Sequence, residues 1–204
     1  VATPAPLRPK YVKVQSAIHK MILAQAEEGT VLILPVELVQ KVPGIHLVNV
    51  QHWTTKAQVA EGRPIADMSN PPDESVCPVN GLPGVDREEV IEACSEMYGA
   101  IIHPTITELV QMVLSMADQH GWDSLVLWKM DLKGAFNLLW FAPEDVRLLA
   151  FPLTQGLVAI YLVGLFGWAG MPFAFQLLTR ALAAVVTAAI QGLSRFYVDD
   201  LMGC

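Results

Sequence analysis

Between residues 13 and 28 the apolar positions recur at helical spacing. Val14, Ala17, Ile18, Met21 and Ile22 share one face, and Gly29 stands where such a helix would stop. Thr30 to Pro35 is an apolar run of strand length. Leu38 to Val50 alternates less regularly around Pro43-Gly44 and predicts a turn followed by a strand. Gln51 to Asn70 is more polar and predicts a hairpin, and residues 70–84, rich in Pro, Gly and Asn without any period, form the best internal boundary. Beyond it the spacing predicts a helix over Asp86 to Tyr98, with Asp86, Glu88 and Glu89 favouring its first turn. A second helix is predicted over Thr105 to His120. Its buried stripe would be Ile106, Leu109, Val110, Val113, Leu114 and Ala117, opened by a Thr105/Glu108 capping box and stopped by Gly121.

Ser124 to Asp131 alternates little (Leu125, Val126, Leu127, Trp128, Met130), the pattern of a strand in a sheet interior. Arg147 to Leu153 and Leu157 to Leu162 predict a strand pair turning at Thr154-Gln155-Gly156. Gly167-Trp168-Ala169-Gly170 would let the backbone approach something flat, and Pro172 opens a long helix running to Gly192. The chain then enters a tight hairpin, with Leu193, Phe196, Tyr197 and Val198 before Asp199-Asp200 and Leu201 and Met202 after it. Helices interleaved with strands in this way predict an α+β fold with helices packed on one face of a sheet. No internal repeat is visible.

Composition narrows the class. The chain has 204 residues, 53% hydrophobic and 16% charged, with a mean hydropathy of +0.41, so it can bury a sizeable core. A net charge of −7 excludes a nucleic-acid surface spread over the whole molecule but leaves room for a local basic channel. Cys77, Cys94 and Cys204 fit neither a disulfide framework nor a zinc spacing, and with a Pro-rich start lacking the core of a signal peptide they place the expectation in an intracellular, reducing setting. From Leu148 to Thr179 there is no Asp, Glu, Lys, Arg or His. That run passes a length test for a membrane span, yet Pro152, Pro172, four glycines, Thr154, Gln155 and Gln176 break it into strand, strand, loop and helix, so no membrane is expected.

The candidate chemistry is acidic. Two adjacent carboxylates at a hairpin tip repel each other unless a cation or a proton lies between them, and hard oxygen ligands favour Mg²⁺ or Mn²⁺. Asp131, at the end of its strand, could join such a site or serve as a helix N-cap. Lys56 and Arg63 flank the polar segment of the 51–70 hairpin, where they could be a solvated surface or a grip on phosphates.

Taken in order, these segments resemble the reverse transcriptase family, in particular the enzymes of retroviruses and of long-terminal-repeat and related retrotransposons. Tyr197-Val198-Asp199-Asp200 is similar to the family's Tyr-x-Asp-Asp hairpin, and Asp131-Leu132-Lys133-Gly134-Ala135-Phe136 to its first catalytic strand. Pro143 to Arg147 and Ala150 to Leu153 are similar to the segment before the template-facing strands. Leu165 to Gln176 resembles the family's Pro-x-Gly-x-x-x-x-Pro-x-x-Phe stretch without its first Pro, and Lys56, Arg63 and Asp67 stand at the spacing of its fingers hairpin. The resemblance covers residues 13 to 204. Phe166 departs from it, standing where retroviral enzymes often carry Gln.

The resemblance implies the fingers and palm of a right-hand polymerase, with an antiparallel palm sheet, helices on one face, and no thumb. Fingers would comprise 1–84 and 140–169, and palm 85–139 and 170–204. It implies template-dependent addition of dNTPs to a primer 3′-hydroxyl on an RNA or DNA template, with two Mg²⁺ or Mn²⁺ ions. Asp131, Asp199 and Asp200 would be the catalytic and metal residues. Lys56, Arg63, Gly134, Ala135, Phe136 and Gln176 would bind the nucleotide, with Phe136 stacking under the deoxyribose, and Gly167, Trp168 and Gly170 would face the template. The family's thumb, connection and RNase H regions would be partners supplied from elsewhere. The rival expectation is a catalytically inactive descendant of a retroelement, serving as a binding or assembly module or a decayed copy.

Overall fold

Thirteen regular elements follow one another in the computed structural model, which describes residues 2–4, 6–7, 9–47, 50–55, 62–70, 77–82, 87–190 and 192–204. They are α1 (Pro9–Glu27), β1 (Val31–Pro35), α2 (Val36–Val39), β2 (Val50–Thr55), β3 (Gly62–Asp67), α3 (Arg87–Tyr98), α4 (Ile106–His120), β4 (Trp128–Asp131), β5 (Ala150–Pro152), β6 (Leu157–Tyr161), α5 (Met171–Ile190), β7 (Ser194–Tyr197) and β8 (Asp200–Gly203). All strand pairs are antiparallel, in three small sheets ordered β1-β6-β5, β2-β3 and β4-β8-β7, so the class is α+β. The chain forms two units, Val1–Ile91 with Phe136–Met171 and Glu92–Ala135 with Pro172–Cys204.

In the first unit β6 is central, and its alternate residues enter different cores. Ala159 and Tyr161 join Tyr11, Ile18 and Ile22 of α1 and Phe151 of β5. Val158 and Ile160 join Val39, Ile45, Leu47 and Ala150. A strand covered on both faces must be apolar throughout, which accounts for the part of the uncharged run that β6 occupies. Each fully buried Val, Ile or Phe there contributes about 2 kcal/mol. The Tyr11 hydroxyl lies 3.3 Å from His19 Nε2, which also meets Thr154 Oγ1 at 3.1 Å, and burial pushes the Tyr11 phenol up to about 12. The β5–β6 register closes on a three-residue loop, Thr154-Gln155-Gly156, with positive φ at Gln155 (61°) and Gly156 (68°).

The stretch after β1 departs from expectation. Instead of a turn and a strand it forms the single-turn helix α2, then a turn at Pro43-Gly44, and residues 45–47 belong to no strand. The cause is packing. Val39, Ile45 and Leu47 fill the second core, while His46 reaches the rest of the unit through its N–H to the Arg147 carbonyl (2.9 Å).

In the second unit α4 begins as expected. Thr105 Oγ1 accepts from the Glu108 N–H (3.2 Å), and the Glu108 carboxylate accepts from the Thr105 N–H (2.6 Å). Its buried stripe, however, is rotated. Met112, Met116 and Ala117 are buried, with Leu109 and Val113 packed beside them, whereas Ile106 is 81% exposed and Val110 and Leu114 also face outward. The helix carries two apolar stripes, and the one holding both methionines meets Cys204 and Leu193.

β4 is likewise shorter than expected. Trp122 to Ser124 form a 3-10 turn, Leu125 to Leu127 are irregular, and only Trp128–Asp131 pairs, at the edge of its sheet. Val126 and Leu127, just before the strand, are exposed, and the interior strand of the sheet is β8. By length and composition α5 is apolar enough to cross a membrane.

Candidate functional site

Period-two alternation sorts the β4-β8-β7 sheet into two faces. The register sets Asp131 opposite Asp200, Asp200 opposite Tyr197, and both Lys129 and Arg195 opposite Met202. Those residues share one face. Trp128, Met130, Leu201, Gly203, Ser194 and Phe196 share the other, and this second face is covered over β7 and β8, with Met130 of β4 left exposed. Ser194, fully buried, donates through Oγ to the Ala183 carbonyl of α5 (3.1 Å) and bonds Thr187 Oγ1 (2.8 Å), and Leu201 is buried beside it. Gly203 allows the Trp128 ring to lie directly across it, since a Cβ there would stand 2.3 Å from Trp128 Cζ2. The acids are therefore left on the open face.

The hairpin between β7 and β8 has a two-residue loop, Val198-Asp199. Val198 has φ +55°, and Asp199 stays outside the left-handed region, the sign pattern of a type II′ turn that ordinarily takes Gly first. The Leu132 N–H donates to the Asp199 carbonyl (3.0 Å), carrying the β4–β8 pairing past the strand end and fixing Asp199 beside Asp131.

The result is a cluster. Asp131, Asp199 and Asp200 each offer a carboxylate oxygen, and these atoms all lie within 4.8 Å of one another. The donor set is three hard oxygens without nitrogen or sulfur, the set that suits Mg²⁺ or Mn²⁺. Lys129, not singled out from sequence, enters the same face. Its Nζ is 2.7 Å from Asp200 Oδ2. The hydrogen bond to Asp200 holds the ammonium above its ordinary range, with desolvation opposing and the charges of Asp200, Asp131 and Asp199 adding. Among the described residues no ion pair joins Asp131 or Asp199. Tyr197, on the same face, stacks obliquely on His103 (5.0 Å between centroids), another contact the sequence reading missed.

The other expected contacts divide between the units. In the second, Gly134 takes φ +62° just after β4, with Ala135 opening a 3-10 turn. The buried Gln176 amide donates to the Gly99 carbonyl (3.2 Å), tying α5 to the end of α3. In the first unit Phe136 is only 7% exposed and packs its ring against Phe166 (4.6 Å), which is itself 68% exposed. Gly167, at φ +118°, admits the Ala66 carbonyl of β3 where a Cβ would clash, and Gly170 admits the indole of Trp168. What approaches these glycines is thus the protein itself, including the flat ring at Gly170. Asn80 clamps the same loop, donating to the Gly167 carbonyl (2.7 Å) and accepting from the Ala169 N–H (3.0 Å). Its only sequence signal is an Asn in a Pro-Val-Asn-Gly turn. Lys56 lies outside the described residues, and Arg63 is described only as part of the β3 backbone.

Compared with models of protein families and with curated proteins, the chain matches none.

Proposed function

We propose that the chain is the fingers-palm part of an RNA-directed DNA polymerase, adding dNTPs to a primer 3′-hydroxyl on an RNA or DNA template, with Mg²⁺ or Mn²⁺ as cofactor. The observation that carries this reading is the meeting of Asp131 with Asp199 and Asp200, from distant parts of the chain, within 4.8 Å on the open face of one sheet. Two further features agree with it. The units are discontinuous, the chain changing unit after Ile91, Ala135 and Met171, against changes of subdomain after 84, 139 and 169 in the resemblance. The Tyr-Val-Asp-Asp segment forms a two-residue β-hairpin.

In this reading Asp131 and Asp199 hold the ions, Asp200 stands next to them, and Phe136 bears on the sugar. When bound, the ions would lower the pKa of the primer hydroxyl and neutralise the leaving pyrophosphate in an in-line displacement. The protein orients: the Leu132 bond to Asp199 and the Asp131/Asp200 register fix the carboxylates before any ion arrives, so little reorganisation is left to the reaction. Lys56, Arg63, Gly134, Ala135 and Gln176 in nucleotide binding, and Gly167, Trp168 and Gly170 toward the template, remain part of the proposal.

Primer extension tests it. Asp131→Ala and Asp199→Ala are expected to abolish incorporation while leaving the circular dichroism spectrum and melting temperature near those of the parent, because removing one of three clustered negative charges relieves repulsion. Retention of more than about 5% of parental incorporation by either variant is far more than loss of a metal ligand permits and would overturn the assignment.

A further inference from the structure

Of the charged groups on the open face, Lys129 is placed to change what the acids do. It stands two residues before Asp131 on the same strand and so shares that residue's face. Its stem crosses diagonally to β8 and sets the ammonium 2.7 Å from Asp200 Oδ2, with side-chain exposures of 59% and 27%. Asp131 and Asp199 receive no such ion pair among the described residues. We propose that Lys129 is a built-in counter-ion that holds Asp200 out of divalent coordination and leaves Asp131 and Asp199 as the ligand pair. This rests on the metal-dependent reading above and assigns unequal roles to three acids whose carboxylate oxygens all lie within 4.8 Å of one another.

The argument is one of competition. Any divalent ion that took an Asp200 oxygen would have to displace the ammonium or sit within a few ångströms of it. An ion between Asp131 and Asp199 meets the same repulsion at longer range and with more screening. Lys129 is thus a positioning residue: it tunes how tightly, and through which carboxylates, the cluster holds its ions.

Calorimetric titration with Mn²⁺ of the 204-residue chain tests this without any assay of turnover. Lys129→Met is expected to tighten binding on the order of tenfold by removing one positive charge from beside the ion. Lys129→Gln should repeat the gain, and Lys129→Arg, which restores the charge, should return the parental affinity. Asp200→Asn should cost the parent little, but in the Lys129→Met background, where Asp200 is free to ligate, it should cost about fivefold more. Unchanged or weaker binding by both neutral variants, or an equal cost of Asp200→Asn in the two backgrounds, overturns the role of Lys129 alone. Absence of Mn²⁺ binding in the parent and the neutral variants alike overturns the metal reading beneath it.

Discussion

Val198 holds a β-branched side chain at φ +55°, a backbone region such residues rarely enter. The conformation persists because the register on both sides dictates it: Tyr197 must oppose Asp200, and only two residues remain to close the turn. Strain of this kind costs about 1 to 3 kcal/mol, while glycine gives back about 0.5 to 1 kcal/mol in chain entropy, so Val198→Gly is expected to stabilise the chain by about 1 kcal/mol. The check is a denaturant titration, in which the midpoint should rise at unchanged slope; a lower midpoint would mean that Val198 packing outweighs its strain. At this scale the doublet alone said little, because an Asp-Asp turn is most often an ordinary exposed one; it was the company of Asp131 upstream that marked these acids as a candidate site. Lys129 was not legible, since a lysine in an apolar strand looks like an ordinary surface charge. The signal that could have found it is its two-residue spacing from Asp131, which in a strand puts both on one face.

Among the elements, α4 separates what local chemistry determines from what packing determines. Its start was legible because a capping box is made within four residues: Thr105 and Glu108 satisfy each other's backbone N–H groups whatever the rest of the fold does. Its buried face was not, since Ile106, Val110 and Leu114 form as good a stripe as Leu109, Met112, Val113 and Met116, and it is packing against Cys204, Leu193 and Leu125 that selects the second. For the same reason β4 looked like an interior strand: its sequence records its apolar content but not that, among the described residues, no strand pairs with its outer edge. Thr105→Ala should therefore cost about 1 kcal/mol at neutral pH. The backbone bond from Thr105, and then its side-chain bond, hold the Glu108 carboxyl below the ordinary carboxylate range, so its part of the cap is complete above that range and lost as pH falls through the lowered value. The gap between parent and variant melting temperatures should accordingly narrow in acid, and a gap that widened would assign the cost to something other than the box.

For the molecule as a whole, the two units differ in how their sheets are covered, and stability should be distributed accordingly. In the first, Val158 and Ala159 of β6 are fully buried in separate cores, so their amides are released only by opening both sides of the strand. In the second, the β4-β8-β7 sheet has one covered face, a core of Met112, Met116 and Cys204 with a few partly buried neighbours, and an edge strand of four residues. Amide hydrogen exchange should therefore be slowest in β6 and faster in β4 by local opening. This contrast was only partly legible, because the uncharged run marked a strand pair at β5 and β6 but not its cover on both faces, and nothing in the apolar run before Asp131 announced an edge. Divalent ions sharpen the expectation. An ion held by Asp131 and Asp199 must leave before β4 parts from the hairpin, because the Leu132 N–H to Asp199 carbonyl bond lies between those two acids. Opening there then becomes harder by about 2.7 kcal/mol at a Mn²⁺ concentration 100 times its dissociation constant, or about a hundredfold slower exchange. Mass-spectrometric exchange with and without Mn²⁺ reads this peptide by peptide. Slowing at Leu132 and across β8 is the expected result, and exchange there that stayed unchanged at every Mn²⁺ concentration would mean that the three acids hold no ion and that their closeness serves some other end.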